Sequence, residues 1–223
     1  MRFLYHPDAG ERRVEVETER YRYLFRARRF KTGESVRMRN LRDDRLYNYR
    51  IESVGRRRAE LILIDSEESR ILPERRLRLG WCIVDPSTIE KSIAALNEIG
   101  VEKISFIPCD RSQKNFSPKL ERLERIVLNS CQQCGRSKPM EMECVESLES
   151  FLESSPQSYL LDFSGGSIEE SRASIESVVV GCEGGFTDEE RRLFADGMVV
   201  GFDTRLTLRS ESAAIAVASK IIL

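Results

Sequence analysis

The chain holds a single histidine, His6, and a single tryptophan, Trp81. One histidine leaves little material for a histidine-built metal centre. The lone Cys-x-x-C pair, Cys131 and Cys134, has no second pair of ligands with which to close a zinc site. Structural thiols and no metal are expected there. No apolar stretch approaches the length needed to cross a bilayer, and Met1 to Pro7 lacks the long apolar centre of an export signal. The six cysteines (Cys82, Cys109, Cys131, Cys134, Cys144 and Cys182) therefore read as reduced thiols in a cytoplasmic protein without a membrane partner. No glycine-rich turn ends in lysine before Ser or Thr, and none has the dinucleotide spacing. Internal repeats and low-complexity tracts are absent too.

A formal charge of −1 over 223 residues argues at first against a nucleic-acid partner. The distribution argues the other way. Residues 1–80 carry 21 Lys/Arg against 14 Asp/Glu, a net of +7, and the other 143 residues carry 15 against 23, a net of −8. Twenty of the 21 N-terminal cations are arginine, whose planar fork suits phosphate. The sequence thus joins a basic module to an acidic one, although a solvated arginine face with no partner fits the same count.

Periodicity divides the chain at a similar place. Residues 1–70 read as mainly β, with alternation in Ser35–Arg39, a strand over Arg45–Val54, an apolar run over Ala59–Ile64 and one short helix over Thr18–Arg29. A small barrel with a basic face fits, followed by a polar linker at Asp65–Arg70. From residue 73 to 223 strands and helices alternate: strands at Leu77–Val84, Val101–Ile107, Gln157–Phe163, Ser174–Val180 and Met198–Gly201, helices at Ser87–Gly100 and Ser117–Cys134. Such alternation implies an α/β domain with a mostly parallel sheet.

The richest segment is Val178–Leu223. A β-branched run ends at Gly181, turns through Cys182-Glu183-Gly184-Gly185-Phe186 and opens a helix whose Thr187 and Glu190 form a capping box. A second strand leads to a polar loop ending Leu208-Arg209-Ser210-Glu211-Ser212, and an Ala- and Ile-rich helix closes the chain. Two strand ends with glycine-bearing loops that feed helices form the crevice of an open α/β sheet. Ligand contact and an ordinary tight turn both remain open for the adjacent glycines. Arg209, beside an apolar helix, needs a partner, which Glu211 or an anionic ligand supplies. The loop Gln133-Cys134-Gly135-Arg136 and the loop Arg111-Ser112-Gln113-Lys114 offer amides and cations for phosphate or base contacts.

Taken together, these residues resemble the ribosomal small-subunit methyltransferase E family of knotted SPOUT enzymes. The match runs through Gly181-Cys182-Glu183-Gly184-Gly185-Phe186-Thr187 with Glu189 and Glu190, and through Val200-Gly201…Leu208-Arg209-Ser210-Glu211-Ser212-Ala213. It continues in Gln132-Gln133-Cys134-Gly135-Arg136, Lys91…Glu98-Ile99-Gly100-Val101 and Arg111-Ser112. The resemblance implies a PUA-like RNA-binding β-barrel over residues 1–70. It further implies a SPOUT domain over 73–223 whose C-terminal segment threads a trefoil knot. S-adenosylmethionine would lie against Leu161, Phe163, Gly181, Cys182, Glu183, Gly184, Gly201, Leu206 and Leu208. The implied reaction is methylation of uridine N3 in 16S rRNA, with Arg209 and Glu211 at the chemistry, and Arg111, Gln133 and Arg136 on RNA, in a homodimer. Two other readings remain: a non-catalytic RNA-binding assembly factor, and a SPOUT methyltransferase with another RNA target. Cys182 stands where the family has proline, Ser210 and Ser212 where it has threonines, and Asp85-Pro86-Ser87 where a basic residue is common.

Overall fold

The computed structural model describes residues 1–113 and 116–223, and of residues 164 and 165 the backbone only. Lys114, the last residue of the Arg111–Lys114 loop, lies outside the described residues. Contacts divide the chain into two compact units: Met1–Leu72 with Cys131–Pro139, and Pro73–Ser130 with Met140–Leu223.

In the first unit, β1 (Leu4–Tyr5), β2 (Arg13–Glu17), β3 (Ser35–Arg39), β4 (Arg45–Val54) and β5 (Arg58–Glu68) form one curled sheet in the order β1-β3-β4-β5-β2. It is a half-barrel, since the edge strands β1 and β2 do not pair with each other. Strand alternation explains its core: Val14 and Val16, Val36 and Met38, and Tyr49 and Ile51 all point to one buried face. The expected helix forms as α1 (Thr18–Tyr21), continued by a wider π-helical turn over Arg22–Ala27. The expected linker at Asp65–Arg70 is largely strand instead. Glu68, Glu67 and Ser66 pair with Arg45, Leu46 and Tyr47, so backbone pairing outweighs the polar side chains. His6 is buried in this unit, its ring nitrogens bonded to the Glu15 carbonyl at 3.0 Å and the Asp8 amide at 3.2 Å. Burial pushes its pKa down.

The second unit is built on six parallel strands: β6 (Arg78–Cys82), β7 (Lys103–Ile107), β8 (Glu141–Cys144), β9 (Tyr159–Ser167), β10 (Ser177–Val180) and β11 (Val199–Gly201). Their order is β11-β9-β10-β6-β7-β8. The helices are α2 (Pro86–Ile99), α3 (Leu120–Cys134), α4 (Leu148–Ser154), α5 (Ile168–Ser171), α6 (Asp188–Arg192) and α7 (Ser210–Ile222). Asp85 caps α2 by accepting from the Ser87 and Thr88 amides, and Gly100 ends it in the left-handed conformation at φ 117°. Pro118 precedes α3 rather than sitting in its first turn. Helix α7 buries Ala214, Val217, Ala218 and Ile221 and packs against α2 within the same chain. That covering accounts for its apolar sequence.

One chemical expectation is overturned. Cys82, at the end of β6, and Cys109, just past β7, are joined by a disulfide with Cα atoms 5.8 Å apart. Parallel pairing of Cys82 with Ile107 brings the two thiols together, which no spacing in the sequence discloses. Cys131, Cys134, Cys144 and Cys182 take no part in that disulfide.

Candidate cofactor and catalytic site

The site forms where the chain leaves the carboxyl ends of three neighbouring strands, β11, β9 and β10. Strand β9 supplies the least ordinary feature. Leu160 pairs with Val199, yet the next residue of β11, Val200, pairs with Gly166. The intervening segment, residues 161–165, is extruded from the pairing between these strands. Leu161, Asp162 and Phe163 of this bulge line a cavity of about 280 Å³. Gly181, Cys182, Glu183, Gly185 and Phe186 of the β10–α6 turn line it from a second side, and Thr204, Leu206, Thr207, Leu208 and Arg209 before α7 from a third.

Seven of the nine residues expected to hold a cofactor therefore meet in one cavity: Leu161, Phe163, Gly181, Cys182, Glu183, Leu206 and Leu208. Gly184 and Gly201 stand behind it. A Cβ on Gly201 would lie 2.7 Å from the Asp162 carbonyl oxygen, so glycine lets β11 approach the bulge. A Cβ on Gly184 would lie 2.9 Å from Cβ of Arg111, whose guanidinium donates to the Gly184 carbonyl at 2.7 Å. Gly185 needs its freedom for another reason, a backbone φ of 66°. Cys182, in the place of the family's proline, is buried, and the turn still closes through Gly185 N–H to its carbonyl at 3.0 Å.

The turn is braced from three directions. The Thr187 and Glu190 capping box forms, with the Thr187 amide donating to Glu190 at 2.8 Å and the Glu190 amide to Thr187 at 3.2 Å. The other oxygen of Glu190, itself buried, accepts from the Asp110 amide at 2.9 Å. Arg191 of α6 bonds Asp162 of the bulge at 2.6 Å, and that carboxylate holds the guanidinium even more firmly charged than usual. Finally, Ser210 donates to the Gly181 carbonyl at 2.5 Å and accepts from the indole of Trp81 at 2.8 Å. The serine thus pins the start of α7 directly to the β10–α6 turn and is itself held by a fully buried tryptophan.

Arg209 is exposed at the cavity edge, and Glu211 is half-buried on the first turn of α7. No ion pair joins the two in this structure. Arg111 donates to the Gly184 carbonyl of the β10–α6 turn. Gln133 is exposed and Arg136 is buried, both in the segment that groups with the N-terminal unit. There the neighbouring Gln132 accepts from the Tyr5 and Arg2 amides at 2.9 and 2.8 Å. Trp81, Asp110, Asp162, Arg191 and the bracing role of Ser210 escape sequence reasoning. Only the singular Trp81 carried any signal. No group of three potential metal ligands occurs among the described residues.

This arrangement, a bulged parallel strand and two glycine-bearing turns around one crevice, matches a known domain class. Residues 72–222 fit the family model of an RNA methyltransferase domain, and residues 16–64 that of an RNA methyltransferase PUA domain. Ribosomal RNA small subunit methyltransferase E of Helicobacter pylori is 36% identical over 222 residues, spanning 98% of each chain. The chain belongs to the ribosomal RNA small subunit methyltransferase E family. The Aquifex aeolicus member is 25% identical over 209 residues, covering 87% of this chain and 88% of that one. Among solved structures, the Neisseria gonorrhoeae family member bound to S-adenosyl methionine aligns with a TM-score of 0.83 at 18% identity, covering 98% of this chain and 95% of that one. A putative methyltransferase from Legionella pneumophila, in complex with the bound cofactor SAM, aligns at 0.84 and 22% identity, covering 99% and 96%. These likenesses establish the fold.

Proposed function

We propose that this protein transfers a methyl group from S-adenosylmethionine to N3 of one uridine in 16S rRNA, as a cytoplasmic homodimer with a knotted C-terminal segment. The observation that carries the reading is the convergence of Leu161–Phe163, Gly181–Phe186 and Leu206–Arg209 on one cavity. Its chemistry fits the cofactor: apolar Leu161, Val180, Phe186 and Leu208 suit an adenine, while turn backbone can hydrogen-bond its edge. Glu183 offers a negative charge for the amino group of a methionyl moiety. When bound, the cofactor supplies an electrophilic methyl group.

The protein's own residues would then position and control charge. Uracil N3 must lose its proton, which passes to solvent, and Arg209 at the cavity edge would stabilise the resulting anion. Glu211 lies on the same turn and would orient Arg209 once RNA is bound. Uridine N3 is hidden in a base pair, so the target would be single-stranded or extruded. Family membership and the basic N-terminal module support RNA as the substrate.

The test is transfer of a labelled methyl group to small ribosomal subunits, followed by mass spectrometry of nucleosides. N3-methyluridine in 16S rRNA is expected, and Arg209→Ala should cut turnover by about a hundredfold or more while leaving cofactor affinity largely intact. No cofactor binding would favour a non-catalytic assembly factor. Methyl groups only in other RNA would redirect the substrate assignment.

A further inference from the structure

The disulfide between Cys82 and Cys109 stands at the foot of the segment that grips the β10–α6 turn. Three bonds run from that segment to the turn. The Asp110 amide donates to Glu190 at 2.9 Å, the Thr187 hydroxyl donates to the Asp110 carboxylate at 3.1 Å, and the Arg111 guanidinium donates to the Gly184 carbonyl at 2.7 Å. The segment is also closed on itself. The Ser112 amide donates to the Cys109 carbonyl at 2.9 Å, and the Cys109 amide donates to the Ser112 hydroxyl at 3.2 Å. Whatever fixes Cys109 therefore fixes the grip.

Sheet pairing stops short of Cys109. The β6–β7 ladder ends with the Ile83 amide donating to the Ile107 carbonyl at 2.9 Å, two residues before the cysteine. Beyond that point the disulfide ties Cys109 to β6. In turn β6 pairs with β10, Trp81 beside Val180, and β10 feeds the turn itself. A closed circuit results: β6, disulfide, Asp110 and Arg111, the turn, β10 and back to β6. Its one link open to redox chemistry is the sulfur–sulfur bond. In a reducing compartment, such as the cytoplasm proposed above, a disulfide is characteristically transient or redox-sensing rather than a permanent staple.

We propose that Cys82–Cys109 is a reversible thiol–disulfide exchange site that sets the affinity of the cavity for S-adenosylmethionine, tight when oxidised and weaker when reduced. The inference rests on the cavity being the cofactor site. The reductant is a dithiol. One of its thiolates attacks Sγ of Cys109, which is 8% exposed where Cys82 is 0% exposed. The protein's sulfur–sulfur bond breaks, and Cys82 leaves as a thiolate. The second thiol of the reductant then closes its own disulfide and releases Cys109. Two electrons pass to the protein, and the reductant's two thiol protons reach Cys82 and Cys109 through water. Coupling between two such sites typically amounts to about 5- to 150-fold in affinity, and it is reciprocal. Bound cofactor must then protect the disulfide by the same factor, a tenfold effect being about 30 mV for a two-electron couple.

The experiment equilibrates the full-length protein, without air, in mixtures of reduced and oxidised dithiothreitol, with and without S-adenosylmethionine. Alkylation and mass spectrometry read Cys82 and Cys109 separately from the other cysteines, and calorimetry measures cofactor affinity of the oxidised and reduced forms. Reduction should weaken binding by about fivefold or more with far-UV circular dichroism unchanged, and saturating cofactor should shift the reduction midpoint by the matching factor. Cys109→Ser should bind like the reduced protein at every mixture. Equal affinity in both forms would overturn the proposal, as would a disulfide that native protein keeps in excess dithiothreitol. Lost circular dichroism on reduction would make the bond a structural staple and overturn the switch. A redox response that persists in Cys109→Ser would place the switch at another cysteine. Failure of either form to bind the cofactor would overturn the cofactor reading, and the switch with it.

Discussion

Ser210→Ala gives the sharpest test of how the β10–α6 turn is held. The hydroxyl is 5% exposed at residue level and serves two buried groups at once, the Trp81 indole N–H and the Gly181 carbonyl. Removing it strands a donor on a side chain that is 0% exposed, at a cost of about 1–3 kcal/mol. The Gly181 carbonyl loses a hydrogen bond worth about 1 kcal/mol, so the expected destabilisation is about 2–4 kcal/mol. A domain stable by roughly 5–15 kcal/mol would register that clearly.

A double-mutant cycle separates the hydrogen bond from packing. Trp81→Phe removes the donor and leaves a ring, so adding Ser210→Ala to it should cost about 1–2 kcal/mol less than Ser210→Ala alone. Urea unfolding followed by far-UV circular dichroism is the assay, because Trp81→Phe deletes the protein's only tryptophan fluorophore. Ser210→Ala should also weaken S-adenosylmethionine binding, and Trp81→Phe should not rescue that loss, since the Gly181 carbonyl stays untethered. Additivity of the two substitutions to within about 0.5 kcal/mol would refute the coupling.

Other consequences follow from single contacts. Gly201→Ala places a Cβ 2.7 Å from a backbone oxygen of the β9 bulge, so calorimetry should find cofactor affinity lower by about tenfold or more. Cys82→Ser opens a loop of sequence separation 27, for which chain entropy gives about 3.5 kcal/mol. Denaturant unfolding should show that loss against the oxidised protein and a much smaller one against the wild type in reductant. Glu143 is partly buried, which pushes its pKa up, but donors from Lys103, Ser105 and Arg78 outweigh burial and hold it below the usual glutamate value. A depressed folded-state pKa means stability present above the unfolded value and lost as pH falls through the folded one. The urea midpoint of Glu143→Gln should therefore trail the wild type at neutral pH and converge with it in acid.

Residues whose local pattern decides their state were legible in the sequence. The alternation of Val36 and Met38, the Thr187–Glu190 capping box and the glycines at 181, 184, 185 and 201 needed no knowledge of distant neighbours. Strand β8 and helix α4 were not anticipated. The four-residue strand Glu141–Cys144 has only intermediate or exposed side chains and is made a strand by pairing with β7. The helix Leu148–Ser154 spans just seven residues, begun by a Ser147–Ser150 box that lacks the usual Glu or Gln.

The same distinction explains why the lining of the site was readable and its bracing was not. Lining residues sit in three contiguous segments, each with its own turn chemistry. Bracing pairs span 29 residues for Arg191–Asp162, 80 for Asp110–Glu190 and 129 for Trp81–Ser210. Each is an ordinary residue type in an unremarkable context until the parallel sheet places its partner. The β9 bulge depends on the same sheet, because residues 161–165 are extruded only where Val200 skips to Gly166. A pocket assembled from short legible turns thus owes its shape to long-range bonds. Substitutions at Ser210 or Asp162, which reach the cavity and also brace it, should accordingly disturb cofactor binding through the long-range bonds they break.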